Sequence, residues 1–362
     1  MDQPINLFRP IVVGELELAN RIVMAPLTRS RSDERGRVPT FAADYYAQRA
    51  DAGMVISEAT NISPQAVGYA FTPGIWSQAQ VEAWKPVVDA VHARNGIFLL
   101  QLWHTGRMSH PDLHDGAPPV APSAVKAAGQ AFTQNGMKDM QTPRALETEE
   151  IPAIVEDYRQ AAENAKEAGF DGVEIHSANN YLLEQFLRDS TNLRDDAYGG
   201  TVENRLRLPV AVIEAVTEVW GPGRVGVRIA PATKMPGETP LDSDPMATYG
   251  TYLDRISVLG LAYTHVVEGT TRESREWPEE IDAAELRRRS AGAYIANNEL
   301  DVESAESLLA DGEADLVSFG RAFLANPDLV ERILSGAAIA EAPRRYWYGG
   351  GEVGYSDWPA IS

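Results

Sequence analysis

Eight short β-rich apolar runs recur along this chain, and a helical pattern follows each of them. The runs are 21–25 (RIVMA), 54–58 (MVISE), 97–102 (IFLLQL), 172–176 (GVEIH), 225–229 (VGVRI), 264–268 (THVVE), 293–296 (AYIA) and 315–319 (DLVSF). Each is continuous rather than alternating, as expected of strands covered on both faces. The helical patterns fall at 41–52, 81–94, 151–168, 202–219, 246–259, 283–289, 302–310 and 328–334. Several are followed by a glycine suited to a left-handed cap, namely Gly53, Gly96, Gly169, Gly260, Gly312 and Gly336. Such alternation predicts an α/β fold, a parallel (β/α)8 TIM barrel. A doubly wound open sheet is the weaker alternative, because the first strand–helix unit lacks a GxGxxG turn. The VVGELEL stretch near the N-terminus reads as a small hairpin.

Two connections exceed ordinary strand–helix loops. Residues 105–147 follow the third strand and 269–280 follow the sixth. In a barrel both rise from the catalytic face, where long loops serve as lids or substrate walls. No domain boundary interrupts the pattern, so residues 1–362 read as one domain.

Composition narrows the function. A formal charge of −20 argues against nucleic acid or an anionic membrane as partner. The absence of cysteine excludes disulfides, thiolate metal sites and iron–sulfur clusters. His104, His110 and His114 have a suggestive spacing, but no carboxylate pattern completes a zinc site around them, so no metal is expected. The N-terminal MDQPINLFRP does not read as a secretory signal, and no window approaches the roughly 18 apolar residues of a membrane helix. The expectation is a cytoplasmic protein, monomeric or homodimeric.

Barrel enzymes work at the C-terminal ends of their strands. Those ends supply Pro26, Leu27 and Thr28; Ala59; Gln101, Trp103 and His104; His176, Asn179 and Tyr181; Arg228; Trp277 in the long loop; and Gly320 with Arg321. Arg228 and Gln101 interrupt apolar runs. A buried guanidinium requires an anion or several acceptors. An internal ion pair with Glu58 or Glu174 is the competing reading for Arg228, and a satisfied core amide is the competing reading for Gln101. Gly320 and Arg321 open a helical segment in the quarter where barrels hold phosphate, with Asn298 and Glu299 able to add backbone N–H groups. A phosphate at one side, a hydrogen-bonding edge at Gln101 and Arg228, and tryptophan walls together suit a flavin mononucleotide (FMN).

These residues carry a resemblance. LANRIVMAPLTRSRS, SPQAVGYAFTPGIWS, QLWHTGR, VEIHSANNYLLEQFLRDSTNLRDDAYGG with ENR, VRIAP, FGRAFLANPDL and YGGGEVGYSDWP resemble the old yellow enzyme family of flavin-dependent ene-reductases over nearly the whole chain. The resemblance implies FMN held non-covalently by Pro26, Leu27, Thr28, Ala59, Gln101, Arg228, Asn298, Glu299, Gly320 and Arg321. It further implies reduction by NADPH or NADH, then hydride delivery to an activated alkene, an α,β-unsaturated carbonyl or nitroalkene. His176 and Asn179 would hold the activating oxygen and Tyr181 would protonate the α-carbon, with Tyr69, Trp103 and Trp277 walling the pocket. Thr28 resembles the classical subgroup, since another subgroup has cysteine there.

The chain departs from the family pattern at Asn180 and Glu299, both common glycine positions, and at Leu300, a common aromatic. Competing functions are nitrate ester or nitroaromatic reduction within the family, a phosphate-binding barrel lyase or isomerase, and flavin binding without turnover.

Overall fold

The computed structural model describes residues 5–271 and 273–361. The first four residues, included above in the stretch that does not read as a secretory signal, and Arg272 in the 269–280 loop lie outside them. All eight predicted strands form: β1 (Ile22–Met24), β2 (Met54–Ile56), β3 (Phe98–Trp103), β4 (Gly172–Ser177), β5 (Val225–Ile229), β6 (Tyr263–Val267), β7 (Ala293–Asn297) and β8 (Leu316–Phe319). They run parallel in sequence order, and the pairing of β8 with β1 closes the barrel. The N-terminal hairpin, Ile11–Val13 with Leu16–Leu18, packs Val13, Leu16 and Leu18 against Val23, Met54, Leu99 and Ile295, forming an apolar floor.

Strand periodicity explains what the runs concealed. Val173 and Ile175 of β4 join the large core shared with the helices. Glu174 and His176, on the alternate positions, are buried but absent from it. Side chains of one strand thus face the helices and the barrel interior in turn. Truncating a fully buried Ile175 to alanine would cost about 2–5 kcal/mol.

The surrounding helices are α1 (Ala42–Ala47), α2 (Gln78–His92), α3 (Ile151–Ala168), α4 (Val202–Trp220), α5 (Pro245–Ser257), α6 (Ala283–Arg289), α7 (Val302–Ala310) and α8 (Leu329–Ser335). Helix α1 is shorter than its pattern predicts. After Ala47 the chain tightens into three-residue turns (Ala50 N to Ala47 O, Ala52 N to Arg49 O). Gly169, Gly260, Gly312 and Gly336 have positive φ, as left-handed caps require. Gly53 and Gly96 do not, which corrects their reading as caps. A Cβ on Gly53 would stand 2.1 Å from the carbonyl oxygen of Asn20, so close approach explains that glycine.

The 105–147 connection carries structure of its own. A hairpin, Gln130–Thr133 with Gly136–Asp139, hangs from a short parallel ladder of Val120–Ala121 with Arg144–Ala145. Met108, Ala127, Ala131 and Met140 form a small cluster against which Tyr181 packs.

Candidate active site

At the mouth of the barrel, β4 carries His176 as its penultimate residue, and past Ser177 the chain makes a tight left-handed turn. Asn179 and Asn180 have φ of 53° and 58°. This is the region that glycine and asparagine enter most readily, so the asparagine departure at 180 is compatible with the backbone. The turn is held from beneath. The Asn180 N–H donates to Glu184 Oε2 (2.5 Å), the Asn180 side-chain amide to Pro236 O (2.9 Å), and Gln185 Nε2 to Asn180 O (2.6 Å). Glu184 lies on a one-and-a-half-turn helix, Leu182–Leu187, and also pairs with the buried Arg188 (3.1 Å).

The turn delivers a polar trio. Thr233 donates to Thr271 Oγ1 (3.0 Å), which in turn donates to Asn179 Oδ1 (3.1 Å). The oxygen of Asn179 is thereby engaged, and its NH2 is the end left to a ligand. His176 is buried, its Nδ1 has no partner among the described residues, and burial, with Arg228 and His265 adding to it, holds the imidazole well below its ordinary pKa. A neutral imidazole offers one N–H. Tyr181 stands edge-on to both His176 and Trp103, with ring centroids 4.9 Å apart in each case. Tyr69 stacks on Trp103 at 5.7 Å, and its hydroxyl lies 3.4 Å from that of Tyr181. Trp277 is not part of this aromatic group; it is half-buried against the large core.

Behind the trio lie Gln101 and Arg228. Register places Arg228 beside His176 and Gln101 beside Glu174. Arg228 forms no ion pair with Glu58 or Glu174 among the described residues. Its Nη2 donates to Asn297 Oδ1 (2.7 Å), while Nε and Nη1 are buried with no partner among the described residues. Burial lowers its pKa, against the pull of Glu174. Orphaned guanidinium donors of this kind call for acceptors from a ligand. Gln101 Nε2 donates to Glu174 Oε1 (2.7 Å), so half of its amide is satisfied within the core.

Pro26, Leu27 and Thr28 are half-buried after β1, and Ala59 is buried after β2. A Cβ on Gly320 would lie 3.3 Å from Leu27 Cδ2, which places the ends of β8 and β1 side by side. Asn298 and Glu299 both have positive φ, 98° and 49°. The Asn298 side chain donates to the carbonyls of Glu268 (2.8 Å), Thr270 (3.0 Å) and Ser274 (3.1 Å). The Glu299 carboxylate pairs with Arg321, the cation expected to take the phosphate. His104, His110 and His114 each serve a local turn or Ser109. Among the described residues no group of three metal-binding side chains gathers.

A clasp that the strand ends did not reveal supports the β1 loop. Glu58 Oε2 accepts the backbone N–H groups of Arg29 (2.9 Å) and Ser30 (3.3 Å). The Arg29 side chain donates to the carbonyls of Tyr346, Trp347 and Gly354, and Arg31 donates to those of Tyr346 and Gly351. Tyr355 lies against both guanidinium groups and stacks on Tyr45 at 3.9 Å. YGGGEVGYSDWP offered the only signal, a motif without an assigned partner.

The ring-edge residues thus fit a flavin, since they present orphaned donors where an acceptor-rich edge would sit. At the phosphate side one nitrogen of Arg321, Nη2, is taken by Glu299.

Comparison with known proteins agrees. The chain is 45% identical to 12-oxophytodienoate reductase 1 of Oryza sativa subsp. japonica, over 99% of this chain and 93% of that protein. The solved old yellow enzyme homologue from Zymomonas mobilis superposes with a TM-score of 0.94 at 42% identity, covering 98% of this chain and 99% of that one. Morphinone reductase in complex with tetrahydroNAD gives 0.92 at 48%, covering 98% of each. Residues 6–339 match the profile of the NADH:flavin oxidoreductase / NADH oxidase family. The chain belongs to that family, the old yellow enzymes, and is an oxidoreductase that uses FMN with a nicotinamide dinucleotide as reductant.

Proposed function

We propose that this protein is an ene-reductase: it reduces the C=C bond of an activated alkene, an α,β-unsaturated carbonyl or a nitroalkene, within one FMN-binding barrel domain. The convergence of His176, Asn179 and Tyr181 on one mouth of the barrel, with the Asn179 amide oriented as a donor, carries this reading. Relatives named as reductases of 12-oxophytodienoate and morphinone support it. When bound, FMN supplies hydride, taken from NAD(P)H, to the β-carbon.

The protein's own residues prepare the alkene. His176 and Asn179 donate to its carbonyl or nitro oxygen and stabilise the negative charge that develops there; one such donor is worth about 3–4 kcal/mol. His176 does so as neutral imidazole, because burial excludes the charged form. Tyr181 donates its phenolic proton to the α-carbon, completing addition of H− and H+ across the double bond. Trp103 holds the rings of Tyr181 and His176 edge-on and parallel to its own. Pro26, Leu27, Thr28 and Ala59 would line the flavin ring and Gly320 with Arg321 the phosphate.

Stopped-flow kinetics of Tyr181→Phe tests the assignment. Flavin bleaching by NADPH or NADH should persist, while reoxidation by 2-cyclohexenone should slow by roughly 10²–10⁴-fold. An equal loss in both half-reactions would remove Tyr181 as proton donor. Nitro-group or nitrate ester reduction insensitive to the substitution would instead favour that activity.

A further inference from the structure

Beneath the mouth, side chains from six strands form one hydrogen-bonded belt across the barrel. Gln101 Nε2 donates to Glu174 Oε1 (2.7 Å); His265 Nδ1 meets Glu174 Oε2 (2.8 Å); and His265 Nε2 meets Ser318 Oγ (2.8 Å). Asn297 Nδ2 donates to Ser318 O (3.1 Å), and Arg228 Nη2 donates to Asn297 Oδ1 (2.7 Å). All six residues are buried.

The polarity of the belt follows from its one carboxylate. An ionised carboxylate only accepts. Gln101 must therefore turn its NH2 towards Glu174, and His265 must carry its proton on Nδ1. The bare Nε2 then accepts a hydrogen bond from the Ser318 hydroxyl. Asn297 gives its NH2 to a carbonyl, so its oxygen faces Arg228. Burial alone would raise the Glu174 pKa, but His265, Arg228 and Gln101 together hold it below the ordinary value. The carboxylate is thus a fixed charge, and it makes no ion pair with Arg228.

We propose that Glu174 is a positioning residue that sets the electron affinity of the flavin, by fixing which end of the Gln101 amide faces the mouth and by placing one negative charge behind the ring edge. This rests on the FMN reading above. Arg228 favours the negative charge of reduced flavin, and Glu174 opposes it from the next side chain inward. The belt accordingly holds the flavin potential lower than Arg228 alone would set it, which favours onward delivery of hydride.

The test is the midpoint potential of the FMN-loaded protein, by equilibration with a reference dye. Glu174→Gln keeps the shape and removes the charge. The reduced-to-oxidised ratio at a fixed poise should rise about tenfold, a positive shift of ~30 mV for a two-electron couple. An unchanged or more negative potential overturns the proposal. Glu174→Asp keeps the charge but withdraws it from Gln101. Its potential should stay with the wild type while the FMN dissociation constant rises roughly tenfold. A potential that moves as far as that of Glu174→Gln would show that packing, not charge, is responsible. If Glu174→Gln does not fold, Glu174→Asp decides alone: a positive shift overturns the proposal and a constant potential with weakened FMN binding supports it. Failure of the wild-type protein to bind FMN at all would refute the proposed function itself, and absorbance of the unmutated protein reads that separately.

Discussion

The backbone N–H of Asn180 donates to the Glu184 carboxylate at 2.5 Å, four residues further along the chain. That carboxylate also accepts the Tyr249 hydroxyl at 2.6 Å and pairs with Arg188, with both charged groups buried. The short loop that carries Asn179 and Tyr181 is thereby anchored to a charged pair that cannot move without exposing a buried ion. Glu184→Ala should destabilise the protein by about 3–5 kcal/mol, since Arg188 would lose its counter-charge. Asn180→Ala should cost about 1–2 kcal/mol, because a β-carbon without a local hydrogen bond is strained at φ 58°. Asn180→Gly should cost less. Urea unfolding checks the order, and equal midpoints for the alanine and glycine variants would refute the strain argument.

Arg228 makes an opposite pair of predictions for the free and loaded protein. Two of its nitrogens are buried without partners, each at a cost of about 1–3 kcal/mol. Arg228→Leu should therefore leave FMN-free protein as stable as wild type or more so, yet weaken FMN binding by at least about tenfold. Calorimetry with and without FMN separates the two effects. A leucine variant that melts several degrees lower without FMN would mean that Arg228 is a structural residue.

If Arg321 takes the FMN phosphate, as proposed, Glu299 competes with it. Its carboxylate pairs with Arg321, and its own φ of 49° favours glycine. Glu299→Gly should relieve both the competition and the strain, tightening FMN binding about tenfold at low salt, with a smaller gain at high salt. Fluorescence quenching of FMN measures it. Weaker binding by the glycine variant would show that Glu299 orients Arg321 rather than occupying it.

Burial pushes the His104 imidazole down to about 3, with His114 nearby adding to the effect. The unfolded chain then takes up a proton that the folded one refuses, so stability is lost as pH falls below about 6.5. Glu58, raised by burial to about 7, acts in the opposite sense between pH 4.5 and 7, so a variant comparison is needed to isolate His104. His104→Asn keeps an acceptor for the Gly106 N–H, which His104 Nδ1 holds at 3.1 Å. Going from pH 7.5 to 5.5, the wild type should lose about 1.4 kcal/mol more than the variant. Parallel losses would place the His104 pKa near its ordinary value.

The strands were legible because a barrel strand buries both faces, which leaves continuous runs such as VGVRI. The polar trio was legible because His176, Asn179 and Tyr181 are neighbours in the chain. The belt was not. Glu174, His265, Asn297 and Ser318 each sit on a different strand, and only the register of six strands brings them together. Nor does composition tell a capping glycine from one admitting close contact: Gly53 and Gly169 both follow helical patterns, and only Gly169 turns left-handed. Glu299 was read as a departure, but its pairing with Arg321 required the fold.

The clasp of Arg29 and Arg31 around Tyr346, Gly351, Gly354 and Tyr355 ties the loop after the first strand to residues more than three hundred positions later. Thr28, expected beside the flavin, adjoins that clasp directly. A nascent chain can therefore lay down every strand and still lack a finished mouth until residue 355 has emerged. A fragment ending at the last barrel helix would have the strands of the barrel without this latch on the loop that follows the first strand.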